Sequence, residues 1–421
     1  MKKQVVAMML AGGRVDELSV LTAKRPKSAV PIWGMYRFID FALSNMMHSG
    51  IDVVGVLAQY RPYSLSTHLA NGAPWDYLGR TRELRILSPY KGATDSDWYK
   101  GTADAVYQNL NFIRRYEPEM VLIASGDHVV SMDYRPMIRQ HLATGADLTI
   151  AVKRVPHDMA PSFGTAVLDQ AGRVVEYEEK ARRPKSDLAS LTVYVFRFSV
   201  LAERLRENAA EGRSHQIYSE VIPAMVRNGA AVHGYLFEGY WQYARTLDAY
   251  YAANMDIVGP DAPDLAAWQV RTNLEGDGVG DPPPALFRRR TQARGALIGP
   301  AATVAGTIER SVISPGVVIA PGATVRDSVV MHSCRIERGA TIDRAILDKG
   351  VVVGAGARVG AGDPAPNERL AASLTCGVTV VGKGARVPPD YEIGRNCVIA
   401  PELVETAFPS GATPSGSMVV P

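Results

Sequence analysis

Two glycines at the end of an apolar run are the first residues in this chain whose type and position could do chemistry. Val5–Leu10 reads as a buried strand, Gly12 and Gly13 follow it, and a helix-like stretch comes next. Strand, glycines, helix is the order in which an α/β domain turns backbone N–H groups and a helix N-terminus toward a phosphate. A second candidate is Asp127, where the apolar run M-V-L-I-A-S ends in Gly126-Asp127-His128. A carboxylate there suits Mg²⁺, which is commonly held by one or two carboxylates plus substrate phosphates; the competing reading is a turn cap. A third is the pair Glu179-Lys180, which closes an alternating strand either as surface charge or as a polar clamp for a sugar phosphate.

The elements that must position these residues follow from spacing. Phe38, Phe41, Ala42, Asn45 and Met46 fall at helical intervals and predict a core-facing helix. Residues 51–57 read as a second strand, with Gln59 and Tyr60 just past its end. Ligands of open α/β sheets sit outside the carboxyl ends of the strands, so Gly12, Gly13 and Gln59 fall where a nucleotide would bind. Residues 71–97 read as a long irregular excursion. Gly101-Thr102 then serve as turn and cap of a helix running to Arg115. Beyond Asp147, the stretches S-F-G-T-A-V, V-V-E-Y-E-E-K and L-A-S-L-T-V-Y-V-F alternate as half-exposed antiparallel strands do. Residues 200–229 read as helical, and a last helix ends near Ile257.

At 421 residues the chain should divide into two domains. The Gly/Pro-rich stretch 258–293 reads as a linker, and from residue 294 the texture changes. Branched residues recur every six positions, as in Ile313, Ile319 and Val325, then Val330, Ile336 and Ile342, then Leu347, Val353 and Val359. Hexapeptide periodicity of this kind marks a parallel β-helix. The expected organisation is a mixed-sheet α/β domain at 1–257, a linker at 258–293, a left-handed β-helix at 294–403 and a mobile or edge-covering tail at 404–421. Arg288-Arg289-Arg290 reads as a solvated face of the linker or as an anion-effector site. A net charge of +3 argues against nucleic acid or a membrane as partner, and no apolar run is long enough to span a bilayer. Three scattered cysteines give neither a metal-ligand spacing nor a disulfide framework, which predicts a reduced, cytoplasmic protein.

Several segments together carry a resemblance: A-G-G-R at 11–14, L-T-x-K-R-x-K at 21–27, R-F-I-D-F-A-L-S-N at 37–45, W-Y-K-G-T-A-D-A-V-x-Q-N-L at 98–110, G-D-H at 126–128 and L-A-S-x-x-V-Y-V-F at 188–196. In this order they resemble the ADP-glucose pyrophosphorylase (glucose-1-phosphate adenylyltransferase) family over essentially the whole chain. The resemblance implies a nucleotidyltransferase domain with a Rossmann-like, GT-A-type mixed sheet, followed by the hexapeptide helix. It implies ATP and glucose 1-phosphate as ligands, ADP-glucose for glycogen or another α-glucan as product, and Mg²⁺ as cofactor. Carried over by motif, Ala11, Gly12 and Gly13 would lie under the ATP phosphates and Lys27 would contact phosphate. Gln59, Tyr99, Gly101 and Thr102 would line the adenine and ribose, and Asp127 would hold the metal. Gly164, Glu179, Lys180, Ser190 and Trp241 would surround glucose 1-phosphate. Assembly as a homotetramer, or as a hetero-oligomer with an intact homologue, is expected.

The chain also departs from that family. The turn G-G-x-G-T-R-L reads Gly12-Gly13-Arg14-Val15-Asp16-Glu17-Leu18, which predicts strain at Val15 if the glycine's left-handed φ is kept. It also predicts repulsion of pyrophosphate by Glu17 where an Arg is usual. Y-W-R-D-V-G-T reads Tyr240-Trp241-Gln242-Tyr243-Ala244-Arg245-Thr246, so a phenol replaces the second metal carboxylate. H-D-F-G reads His215-Gln216-Ile217-Tyr218, and the Gly of S-M-G is Thr192. Met35 occupies the slot of an activator-binding Lys, so standard activator control is not expected. These losses predict a weakly catalytic or regulatory subunit. The alternatives are an active enzyme in which Arg14 or Arg25 supplies the missing cation, and a sugar-phosphate-sensing assembly protein.

Overall fold

The computed structural model describes residues 2–13, 15–90, 98–275 and 280–420. The chain forms two compact units that interleave in sequence. One comprises Met1–Gly13, Phe41–Pro62 and Asn71–Trp241; the other comprises Arg14–Asp40, Tyr63–Ala70 and Gln242–Pro421.

The first unit is built on a nine-stranded mixed sheet. Its strands are β1 (Val5–Leu10), β2 (Val53–Leu57), β3 (Glu83–Leu87), β4 (Met120–Ser125), β5 (Leu148–Arg154), β6 (Gly164–Leu168), β7 (Val174–Glu179), β8 (Leu188–Arg197) and β9 (Val232–Leu236). β1 lies between β2 and β4, parallel to both, and β3 pairs parallel with β2. β8 runs antiparallel to β4, β5 and β6. The near-continuous apolar runs of β1, β2 and β4 suit strands buried on both faces, and Val6, Met8, Val121 and Ile123 are core residues. β3 corrects the reading of 71–97 as wholly irregular. E-L-R-I-L makes a half-exposed edge strand whose short alternation is hidden among flanking Gly, Pro and Arg; residues 91–97 lie outside the described residues.

Register sets the working end of the sheet. Leu10 pairs with Leu57 on one side and Ser125 on the other. Gly12, Gln59 and Asp127 therefore all follow the carboxyl ends of three adjacent parallel strands, the position at which such sheets bind ligands.

The second unit is dominated by three parallel sheets of short strands wound as the hexapeptide β-helix. Ile313, Ile319, Val325, Val330, Ile336 and Ile342 point into its interior and are buried, as the six-residue period requires. The coil is longer than the sequence pattern suggested. Leu286–Phe287 and Gln292–Arg294 already pair with Thr303–Val304 and Thr307–Glu309. At the other end Ala412–Thr413 and Met418–Val419 add rungs beyond Glu392–Gly394 and Val398–Ile399. Of the two expectations for the tail, mobile or edge-covering, these rungs fit the second, since residues 412–419 pair onto the open end of the coil; backbone pairing needs no hexapeptide signature once a preceding rung offers an edge.

One outer face of the coil is also apolar. Val312, Val329 and Ile346 are buried although they flank the interior positions. Within this unit the helix Leu247–Met255 packs on Val329–Val330, Tyr251 Oη donates to the Asp327 carbonyl at 2.7 Å, and Ser314 Oγ donates to the Gly34 carbonyl at 2.7 Å. Arg25 makes a buried ion pair with Asp348 at 2.7 Å, and Lys24 pairs with Glu402. The segment that follows the glycine turn is thus anchored on the β-helix.

Candidate functional site

In the first unit, a Cβ on Gly12 would lie 3.1 Å from Gln59 N and 3.2 Å from Leu57 O, so the turn packs tightly against the backbone at the end of β2 and a side chain there would require that backbone to give. Ala11 N donates to Leu57 O at 3.0 Å and Tyr60 N to Gly12 O at 3.2 Å. The Gln59 amide accepts from Tyr99 N and donates to Tyr99 O. The Tyr99 phenol donates to Leu87 O at 3.2 Å and accepts from Asn109 Nδ2 at 2.9 Å. Burial pushes that phenol up to about 12, against the Asn109 hydrogen bond. Tyr99 thus meets Gln59 through its backbone, and its hydroxyl is committed to the scaffold.

Gly101 and Thr102 begin the helix Thr102–Gln108. Gln216 Oε1 accepts from both Thr102 N and Thr102 Oγ1 at 3.0 Å, and Thr102 Oγ1 accepts from Ile217 N at 2.9 Å. The residue that departs from the family's H-D-F-G segment therefore sits on the cap of this helix. Glu220 holds the preceding loop, its carboxylate accepting from Arg213 N, Ser214 N, Ser214 Oγ, His215 N and Asn208 Nδ2. Burial raises its pKa, but these donors outweigh it and bring the carboxyl down to about 2. A depressed pKa contributes order that is present above the unfolded value and lost as pH falls through the folded one. Amide protection at Ser214 and His215 should persist at pH 5 and collapse between about pH 4.5 and 2, and Glu220→Gln should lack that transition in hydrogen exchange.

The predicted metal and sugar-phosphate residues form one connected group. Ser125 Oγ donates to Asp127, and His128 Nε2 lies 3.4 Å from the same carboxylate. Trp241 Nε1 donates to His128 Nδ1 at 3.2 Å. Indole N–H can only donate, so Nδ1 is the bare nitrogen and the ring proton is on Nε2, toward Asp127. Trp241 packs edge-on to His128 at 5.7 Å and against Phe163 at 5.2 Å. Phe163 O accepts from Lys180 N at 3.0 Å, and Lys180 Nζ lies 4.0 Å from Glu179. A Cβ on Gly164 would collide with Tyr177 Oη and Glu179 Oε2. Ser190 Oγ donates to Tyr194 Oη at 3.4 Å. Sequence reasoning gave no role to Tyr177, Tyr194 and His128; His128 and Tyr194 stand inside the quoted motifs at 126–128 and 188–196, which was the signal for them. Thr192 keeps φ at 54°, between Ser190 and Tyr194 where the strand register shifts. A β-branched residue is strained at the left-handed φ that a glycine adopts freely.

Asp127, held by Ser125 and beside His128, is the carboxylate whose position after β4 suits a cation. Among the described residues no three His, Cys, Asp or Glu side chains group so as to hold a metal. That donor set fits a hard cation that completes its shell with substrate phosphates, and it does not form an all-protein cage.

In the second unit, the outcome at 15–17 differs from expectation. Val15 is extended, with φ −125°, and the left-handed conformation falls on Ser19, with φ 48°. Thr22 Oγ1 ties this loop by donating to Val15 O at 2.7 Å and Ser19 O at 3.2 Å. Val15 therefore carries no left-handed strain, and the positive φ of this loop lies on a non-glycine residue, Ser19. Glu17 is not a bare repulsive charge either: Arg245 Nε donates to its Oε1 at 2.9 Å. Burial lowers the Arg245 pKa, yet Tyr243 and Glu17 raise it further, so the net shift is upward. Lys27 is 2% exposed, with its ammonium 4.2 Å from the centre of the Tyr243 ring and 5.2 Å from that of Phe38. Arg25 does not stand in for the missing family Arg: its charge is paired with Asp348 and its side chain is 5% exposed, out of reach of an incoming anion. Arg14 lies outside the described residues. Arg245 went unused in the sequence reading, although an Arg where the family has Gly was itself the signal.

Comparison with known proteins gives two family models, nucleotidyl transferase over residues 6–259 and GlmU-like C-terminal hexapeptide over residues 283–381. The chain is 44% identical to a glucose-1-phosphate adenylyltransferase of Thermomicrobium roseum, covering 99% of this chain and 98% of the relative. It is 42% identical to one of Thermotoga neapolitana, covering 99% of each, and 39% identical to one of Acetivibrio thermocellus, covering 97% and 96%.

Proposed function

This chain belongs to the glucose-1-phosphate adenylyltransferase family, and from that premise we propose that it binds ATP and glucose 1-phosphate in ADP-glucose synthesis with turnover well below its relatives, as a weakly catalytic or regulatory subunit. The observation that carries the low turnover is Tyr243, a neutral phenol facing Lys27 in the slot of the family's second carboxylate. In this reading Ala11, Gly12 and Gly13 leave room for the ATP phosphates, and Gln59, Tyr99, Gly101 and Thr102 border the base and ribose. Trp241, Glu179, Lys180, Gly164 and Ser190 orient the sugar phosphate so that its oxygen attacks the α-phosphorus in line. Asp127 is the residue that would hold Mg²⁺, which when bound supplies positive charge to the transferring phosphoryl group. Lys27 is the cation that the family motif assigns to phosphate. The hexapeptide coil suits assembly as a homotetramer or with an intact homologue, in the cytoplasm.

A second reading, a fully active enzyme with an altered phosphate site, is favoured by the Glu17–Arg245 contact, since a compensated charge costs less than a bare one. Pyrophosphate release from ATP and glucose 1-phosphate decides between them. The expected rate for the chain alone is far below ordinary enzyme turnover of about 1–1000 per second, with altered kinetics of a complete relative on mixing. Turnover within that range by the chain alone would establish the second reading.

A further inference from the structure

We infer that Gln216 is a positioning residue for the nucleotide: its side chain caps the helix Thr102–Gln108 from more than a hundred residues away, and so fixes Gly101 and Thr102 where the reading above places base and ribose. The role rests on that reading for its ligand. An α-helix begins with N–H groups that have no partner within the helix, and a Ser, Thr, Asp or Asn before the first turn is the usual acceptor. Here that position is Gly101, which makes no side-chain cap. The acceptors come instead from residues 213–217 of the same unit. Thr102 N and Thr102 Oγ1 both donate to Gln216 Oε1 at 3.0 Å, and Ile217 N donates to Thr102 Oγ1 at 2.9 Å. Ala103 N donates to His215 O at 2.8 Å. A backbone N–H can only donate, so the Gln216 amide presents its oxygen. Gly101 is required by the same approach, since a Cβ there would collide with the backbone carbonyls of Ser214 and His215.

The loop that supplies these acceptors is itself held in a costly conformation. His215 has φ 52°, which is rare outside glycine. Gln216 leads into a π-turn, Ile217–Val221, in which Val221 N donates to Gln216 O at 3.4 Å. Such features persist where surrounding contacts over-determine them, and they cluster at functional sites. Glu220 provides that hold, accepting from Arg213 N, Ser214 N, Ser214 Oγ and His215 N. A first turn that is ordered in advance loses less freedom when a ligand docks against it. Both lone pairs of Gln216 Oε1 are engaged by Thr102, which ties this residue to the nucleotide wall and not to the sugar phosphate.

The test is calorimetric binding of ATP, and separately of glucose 1-phosphate, to the full chain and to Gln216→Met, which keeps the side chain's length without its acceptor. ATP binding should weaken by about tenfold, the loss expected for two neutral hydrogen bonds, with glucose 1-phosphate affinity within about twofold of the parent. Hydrogen exchange at the Thr102 and Ala103 amides should speed up in the same variant. Gln216→Glu, whose carboxylate still accepts at that reach, should keep those amides protected and recover most of the ATP affinity, which a general packing defect at this position would not allow. A Gln216→Met protein that melts like the parent and binds ATP within about twofold of it would overturn the inference. So would a loss of glucose 1-phosphate affinity equal to the loss for ATP, or a Gln216→Glu protein as weak as Gln216→Met. Any of these beside a parent that binds ATP leaves the functional reading in place; a parent that does not bind ATP sinks that reading, and the nucleotide role of Gln216 with it.

Discussion

Glu17→Arg, Tyr243→Asp and Arg245→Gly introduced together should raise pyrophosphate release by on the order of 10²- to 10³-fold, the range that one well-placed transition-state charge commonly supplies. All three changes are needed. Tyr243→Asp restores a carboxylate where a phenol offers a metal little. Glu17→Arg returns the cation to the turn, but with Arg245 kept it would bring two guanidinium groups to the 2.9 Å contact that Glu17 now makes. Like charges at that range repel by a few kcal/mol even at a near-surface dielectric, roughly the value of the charge being restored. The double change lacking Arg245→Gly should therefore gain much less than the triple one. Steady-state assays of the parent, the double and the triple variant separate these outcomes. Equal gains with and without Arg245→Gly would show that residues 17 and 245 do not act on each other, and no gain from the triple change would place the defect elsewhere.

Asp348→Ala should destabilise the second unit by about 3–5 kcal/mol, the cost of leaving one member of a buried ion pair uncompensated. The side chains of Arg25 and Asp348 are 5% and 1% exposed, so water cannot replace the lost partner. Asp348 also accepts from Lys349 N at 2.7 Å, which adds to the loss. Replacing both partners, Arg25→Met with Asp348→Leu, should recover most of that stability, because two apolar groups leave no orphaned charge. Thermal and denaturant midpoints of the single and double variants provide the check. A single variant as stable as the parent would mean that Arg25 finds another acceptor.

The sequence alone determined much about this protein, for physical reasons that act locally. Apolar runs ending in Gly12-Gly13, Gln59 and Gly126-Asp127 specified three strands with polar residues at their ends. Parallel pairing then brought those ends together, with Leu10 in register with both Leu57 and Ser125. The six-residue period of Ile313, Ile319 and Val325 specified a coil interior, because a side chain must point inward once per side. Motif order was sufficient for the family. Edges were less legible: the strand Glu83–Leu87 and the rungs after Glu402 form because a neighbour offers an unpaired edge, and that neighbour does not appear in the local pattern.

Tertiary structure alone decided what the unusual residues do. From sequence, Val15 predicted strain and Glu17 predicted a bare negative charge, since a motif reports the type of residue at a slot and not its partner. In the fold Val15 is extended, the positive φ lies at Ser19, and Arg245 lies on Glu17 across more than two hundred residues. Arg25, a candidate substitute cation, was withdrawn by Asp348 of the coil. Charge interactions depend on distance and burial, and neither is written in the order of residues; both are set only when the chain has folded and each ionised group has taken its nearest partner.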